Sequence, residues 1–167
     1  LLTGNFTVGN GLVQQTADGS DTFRIDAGSA NVTFGANINH GVGVVNNNAA
    51  VNIVNTTAGS ANFSGTVIAT DGTGLQFNNA DGVYGFTGTT TLSGGTAGID
   101  ILGGSSGTFS FGTNTSIAGR TAAAFVISGN NTAAPTATYS GTIVNTMNDV
   151  IRIENTGTGG TITFNSL

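Results

Sequence analysis

Cysteine, lysine and tryptophan are absent from this chain, and proline occurs once, at Pro135. Charge is scarce as well, at 7% of residues, where soluble domains carry roughly 25%. Each shortage removes a class of reading. Without cysteine there is no disulfide framework and no thiolate chemistry. The cations are Arg24, Arg120 and Arg152 against eight carboxylates, for a net charge of −5. Nucleic-acid binding rests on clustered Lys and Arg at phosphates, so nucleic acid is not expected as a partner. A basic membrane-binding face is missing too. No apolar run approaches the ~18 residues of a membrane helix, so membrane insertion is not expected. No signal-peptide pattern follows Leu1, which reads as a mature chain or an excerpt of a longer one.

What remains is glycine, 28 of 167 residues, about twice the usual share, with Thr, Asn, Ser, Ala and Val. Disorder is not implied, because disordered chains combine few apolar residues with high net charge. Here 38% are hydrophobic, gathered in short β-branched or aromatic clusters between Gly/Asn turns. That arrangement predicts many short strands.

The clusters repeat. ANFSGTVIAT at 61–70 aligns with ATYSGTIVNT at 137–146. Six apolar–polar–apolar triplets end at Ile25, Ile53, Phe77, Ile101, Ile127 and Ile153, 24 to 28 residues apart. A second alternating cluster follows each, ending at Phe34, Phe63, Phe86, Phe111, Tyr139 and Phe164. Phe6 belongs to a preceding partial coil. A third cluster carries Ile38, Val67, Leu92, Ile117 and Ile143. Alternation of period 2 turns each apolar pair to one face. A three-residue strand is unstable alone, but stacked on its copy in the next repeat it gains parallel hydrogen bonds at about 4.8 Å spacing. The expectation is an all-β parallel β-helix of about six three-strand coils of ~25 residues, forming one domain over 1–167. Two residues after each first-strand terminus stand Ala27, Asn55, Asn79, Gly103, Gly129 and Asn155. Gly and Asn tolerate left-handed backbone angles, so this position is read as a turn.

VIRIENTGTGGTITFNS, and FVISGNN followed by ATYSG, resemble the repeats of giant bacterial β-strand-repeat proteins. Those are similar to autotransporter passengers and filamentous adhesins. The resemblance covers essentially the whole chain. It implies a right-handed coil, secretion and an extracellular or cell-surface life, and brings no catalytic residues.

Chemical motifs are few. A paired-carboxylate mechanism wants two acids within about 5–10 Å. Asp100 and Glu154 fall in the outward rows of the first strand without an acidic neighbour on the adjoining coil. The chain is therefore read as no enzyme, with a polysaccharide-degrading β-helix as the remote alternative. Arg24 with Asp26 and Arg152 with Glu154 read as surface ion pairs of small value. His40 lacks companions for a metal site or a triad. No cofactor is expected; a scattered calcium through Asp71 or Asp81 is the alternative. The longest turns, 35–50 and 128–136, are the expected contact loops, because solenoid insertions often carry function. Their candidate residues are Asn37, Asn39, His40, Asn46, Asn47, Asn130, Asn131 and Pro135, and a surface glycan is the partner they suggest. The principal expectation is a rigid stalk or fibre subunit. Both termini fall mid-coil, which points to continuation of the same chain or end-to-end self-association.

Overall fold

In the computed structural model the described residues are 2–41, 47–96, 98–144 and 147–165, the side chains of 130 and 131 excepted. Every element among them is a strand. β1 (Asn5–Val8) and β2 (Leu12–Gln14) open the stack. The first full coil is β3 (Phe23–Gly28), β4 (Asn31–Phe34) and β5 (Asn37–His40). The second is β6 (Ala49–Thr56), β7 (Ser60–Phe63) and β8 (Val67–Ala69). The third is β9 (Gly74–Ala80), β10 (Val83–Phe86) and β11 (Thr90–Ser93). The fourth is β12 (Ile99–Leu102), β13 (Thr108–Phe111) and β14 (Thr115–Ala118). The fifth is β15 (Phe125–Ala133), β16 (Thr136–Tyr139) and β17 (Thr142–Val144), after which β18 (Ile151–Thr158) and β19 (Ile162–Phe164) close the stack. Every third strand pairs in parallel, giving three faces of six, seven and six strands. The chain is a parallel β-solenoid of about six turns, on the order of 30 Å long at the parallel-strand spacing.

Register carries the expected columns. On the first face Ile25, Ile53, Phe77, Ile101, Ile127 and Ile153 stand directly above one another. On the second face Val8 extends the aromatic column downward, through Phe34, Phe63, Phe86, Phe111 and Tyr139 to Phe164. Phe63 and Phe86 stack at 4.6 Å and 10°, and Phe86 and Phe111 at 5.5 Å and 23°. Identical rings on adjacent rungs settle into offset stacks because each rung presents the same geometry. Phe77 replaces an isoleucine and meets Tyr84 and Phe109 of the second face edge-on or tilted, at 5.6 and 5.0 Å. The buried Tyr hydroxyls are satisfied. Tyr84 Oη accepts from the Gly82 amide at 2.9 Å and bonds Thr56. Tyr139 Oη donates to the Thr142 carbonyl at 2.8 Å.

The third face departs from the expected cluster. Ile38 pairs with Val67, but Val67 pairs with Thr90, and Thr90 with Thr115. Leu92 and Ile117 instead stand above Ala69 and His40. One apolar cluster in the sequence is thus two inward columns, and the polar members of each were invisible as core. Thr90 and Thr115 are buried, at 1% exposure each.

Turn geometry explains the Asn/Gly position. Ala27, Asn55, Asn79 and Asn155 have φ of 62°, 54°, 53° and 51°, with Gly103 and Gly129 at 57° and 73°. All six lie in the left-handed region, where a side chain other than Asn is strained by roughly 1–2 kcal/mol. Asn79 Nδ2 also donates to Asn55 Oδ1 at 3.3 Å, so the amides begin a ladder along the axis. Ala27 is the exception, with neither the tolerance of glycine nor an amide to join Asn55. Ala27→Asn is expected to stabilise the fold by about 1 kcal/mol, read as a higher urea midpoint with unchanged slope. An unchanged or lower midpoint would show that left-handed geometry is not what selects asparagine here.

Candidate functional site

Variation in the coil is concentrated at one corner. Two or three residues join the second face to the third, whereas four to eight join the third face back to the first. The tight corner is fixed by backbone contact: a Cβ on Gly88 would stand 2.0 Å from the Gly65 carbonyl oxygen, and one on Gly65 2.1 Å from that of Ala36. The variable corner gathers the chain's unusual polar groups, some inside the tube and some outside.

Inside stand His40 and Arg120, both fully buried. His40 was expected in a loop. It ends β5 instead, and pairing with Ala69 turns its ring inward. Its Nδ1 bonds Thr22 Oγ1 at 2.8 Å. Burial pushes its pKa below the ordinary 6.5, against the Asn48 backbone and the Asp21 and Asp71 charges. Arg120 lies in the turn after β14. No nitrogen of its guanidinium has a hydrogen-bond partner among the described residues. A Cβ on Gly74 would stand 3.0 Å from Nη2, so glycine there makes room for the head group. Burial lowers its pKa to about 10, opposed by the charges of Asp100 and Asp71, which leaves it a cation at neutral pH. Asp100 sits on the outward side of β12. Burial raises its pKa, while the hydrogen bond from Gln76 Nε2 at 2.9 Å, Arg152 and Arg120 pull the other way.

Outside, the same corner overhangs the first face and forms a partly open groove of about 290 Å³. Its floor is the outward row of β6 and β9, with Asn52 beside Gln76 and Val54 beside Asn78. Asp21 closes one wall and Asn47 and Asn48 the rim. The walls are fixed by hydrogen bonds. Asp21 Oδ1 accepts from the Ala49 amide at 2.9 Å, and its Oδ2 from Asn52 Nδ2 at 2.7 Å and Arg24 Nη1 at 3.3 Å. Gln76 Nε2 donates to the Thr73 carbonyl at 2.9 Å as well as to Asp100. Asp18 Oδ1 accepts from the Asn47 backbone and from Asn48 Nδ2, both at 3.4 Å.

Of the two expected contact loops, 128–136 is largely strand, while 35–50 is strand at 37–40 and 49–50. In 35–50, Asn37, Asn39 and His40 belong to β5, and Asn37 Oδ1 accepts the Thr66 amide at 2.9 Å. Asn46 lies outside the described residues, and among the described candidates of this loop Asn47 reaches the groove. In 128–136, β15 continues to Ala133, because its pairing with β18 resumes after a register shift between Asn130 and Ala133. Asn130 and Asn131 are therefore strand residues, and their side chains lie outside the description. Pro135 is buried, with its carbonyl against Gly160. Among the described ones, Asn37, Asn39 and His40 lie on the first coil, Asn47 leads into the second and Pro135 lies on the fifth, so the structure does not bring them together. Asp21, Asn52, Gln76 and Asn78 were not singled out as a site, although Asn52 and Gln76 already stood in one outward row of the repeat. Of the two acids considered for calcium, Asp81 accepts the Ser106 amide and hydroxyl at 3.0 and 2.8 Å. The surface pairs stand at 2.8 Å for Arg24–Asp26 and 3.7 Å for Arg152–Glu154.

No protein-family model, curated protein or solved structure matches this chain.

Two outcomes follow for the buried corner. A buried charge without good partners is a net loss, and an apolar replacement of similar size stabilises by about 1–4 kcal/mol. Arg120→Met is expected to raise the unfolding free energy within that range in denaturant melts; a drop would reveal a partner that the guanidinium serves. His40 gives a pH signature. Its pKa is lower folded than unfolded, so below pH 6.5 the unfolded chain takes up the proton first. Stability is full above that value and declines beneath it until folded His40 titrates. Asp100, with its raised pKa, has the opposite sign and favours the fold as pH falls through its folded value. His40→Leu should flatten the decline in melts between about pH 7.5 and 5.5. A decline of equal slope in the variant would place its cause elsewhere.

Proposed function

We propose that this chain is a structural solenoid, a rigid stalk or fibre subunit of a bacterial surface adhesin, filament or layer. The carrying observation is the unbroken run of inward columns on all three faces, with parallel ladders that continue to both ends of the stack. Phe6 at one end and Ile153 at the other belong to those columns, and they are exposed at 47% and 44%. Each end presents a parallel strand edge with an apolar column beneath it, the surface on which another coil of the same pattern would stack. Further coils of the same chain and an end-on second copy both fit that surface. The location outside the cell rests on the resemblance to β-strand-repeat proteins, autotransporter passengers and filamentous adhesins. A low-charge, lysine-free surface suits a spacer that is to hold length without attracting polyanions.

The second reading is a glycan- or surface-binding module. It loses most of its loop residues to strands, and is favoured only where Asn47 reaches the groove. Asp21 and Asp26 approach each other as joint partners of Arg24, which ties both carboxylates into ion pairs, and we do not advance the enzymatic alternative.

Electron microscopy of the chain at high concentration tests the stacking. Thin fibres with a strand repeat near ~4.8 Å along the axis are expected, and Ile153→Lys should dissolve them, since a charge on the end column blocks edge pairing. Discrete short particles in the unaltered protein, with no dependence on concentration, would overturn end-on assembly.

A further inference from the structure

We propose that the groove over the first face is a binding site for an uncharged carbohydrate. Its chemistry excludes the other ligand classes in turn. An anion finds no cation on the walls and one carboxylate, Asp21. A divalent cation needs several free oxygens, yet Asp21 already accepts three protein hydrogen bonds on its two oxygens. An apolar ligand finds Val54 and the small Ala49 among otherwise polar walls. What the groove offers is side-chain amides on adjoining rungs, Asn52 beside Gln76 and then Asn78. Each amide has both donor and acceptor atoms, the match for a hydroxyl, which also does both.

The amides are held in advance. Asn52 and Gln76 each commit the NH₂ group to a fixed neighbour, Asp21 for one and Thr73 and Asp100 for the other. That choice orients the amide plane and leaves Oδ1 and Oε1 without a hydrogen-bond donor among the described residues, as acceptors for ligand hydroxyls. Ordering before binding removes part of the entropy cost of association. Val54 supplies an apolar patch for the C–H face of a ring. The volume, about 290 Å³, is at the small end for small-molecule sites, ~300–1,000 Å³, and suits a short stretch of sugar chain. The rungs rise by about 4.8 Å, on the scale of one sugar ring. This assignment stands apart from the scaffold reading, because the groove needs only Asp21 at the start of the first coil with the second and third coils, and no stacking partner.

The test is a glycan array followed by calorimetric titration. Neutral gluco-, galacto-, manno- and N-acetylglucosamine oligosaccharides serve as probes, with polygalacturonate as the anionic control. Binding of at least one neutral oligosaccharide is expected. Asn52→Ala with Gln76→Ala should weaken it about tenfold or more, the loss of two ordinary hydrogen bonds. Thr138→Ala, on the outer side of the second face, should leave it unchanged. Should the double variant melt early, Asn78→Arg on the exposed floor fills the groove without touching the core, and binding must fall there too. Titrating free oligosaccharides against the immobilised polymer distinguishes a soluble sugar from a surface glycan as the source. Absence of neutral binding at millimolar concentration overturns the proposal. So does equal binding of polygalacturonate, or unaltered affinity in the groove variants.

Discussion

Everything in this molecule depends on parallel backbone pairing between one coil and the next. Strands of three to nine residues cannot hold themselves in water, because fixing each residue's backbone costs roughly 1–2 kcal/mol and a short strand has no partner of its own. The cost is met only when the next coil offers a strand in the same register. Register in turn is enforced by side-chain alternation, since a slip of one residue would turn every inward side chain out. The columns and the ladders are therefore a single constraint. The Ile column sets the register of the first face and the Phe column that of the second, and the backbone bonds make each column cooperative along the axis.

That constraint explains which parts of the structure the sequence made legible. Ile25 to Ile153 and Phe34 to Phe164 recur in like kind, so their spacing alone located two faces and the turn between them. The left-handed turn was legible for the same reason: Asn and Gly at five of six positions leave Ala27 as the one anomaly. The third face was only half legible. Its inward columns change between apolar and polar residues partway along, Val67 giving way to Thr90 in one and His40 to Ala69 in the other. A search for recurring apolar residues then follows chemistry across two columns and loses the register. A buried threonine or histidine has no periodic sign that separates it from an outward one.

The strand character within the expected contact loops was hidden for a related reason. Turn-forming composition over 35–50 and 128–136 reads as loop, yet stacking overrides local preference wherever a neighbouring rung supplies hydrogen bonds. Asn37 and Asn39 lie in β5 because β2 and β8 flank it on both sides. β15 extends past its expected end because β18 runs beside it. Local composition reports what a segment does alone, and no segment of a solenoid is alone.

The inward rows carry the folding, and this frees the outward rows and the loosest corner to differ from coil to coil. A tight corner such as Gly65 over Ala36 admits no Cβ, so nothing new is built there. The third-to-first corner, where four to eight residues make the turn, admits both an interior cation and an exterior overhang. The overhang matters most where it meets a flat, rigid row. Asn52 and Gln76 are held a rung apart by the same pairing that aligns Ile53 with Phe77. A periodic scaffold thus gives its outer side chains a fixed spacing at no further ordering cost, and the aperiodic corner supplies the wall that turns a face into a site.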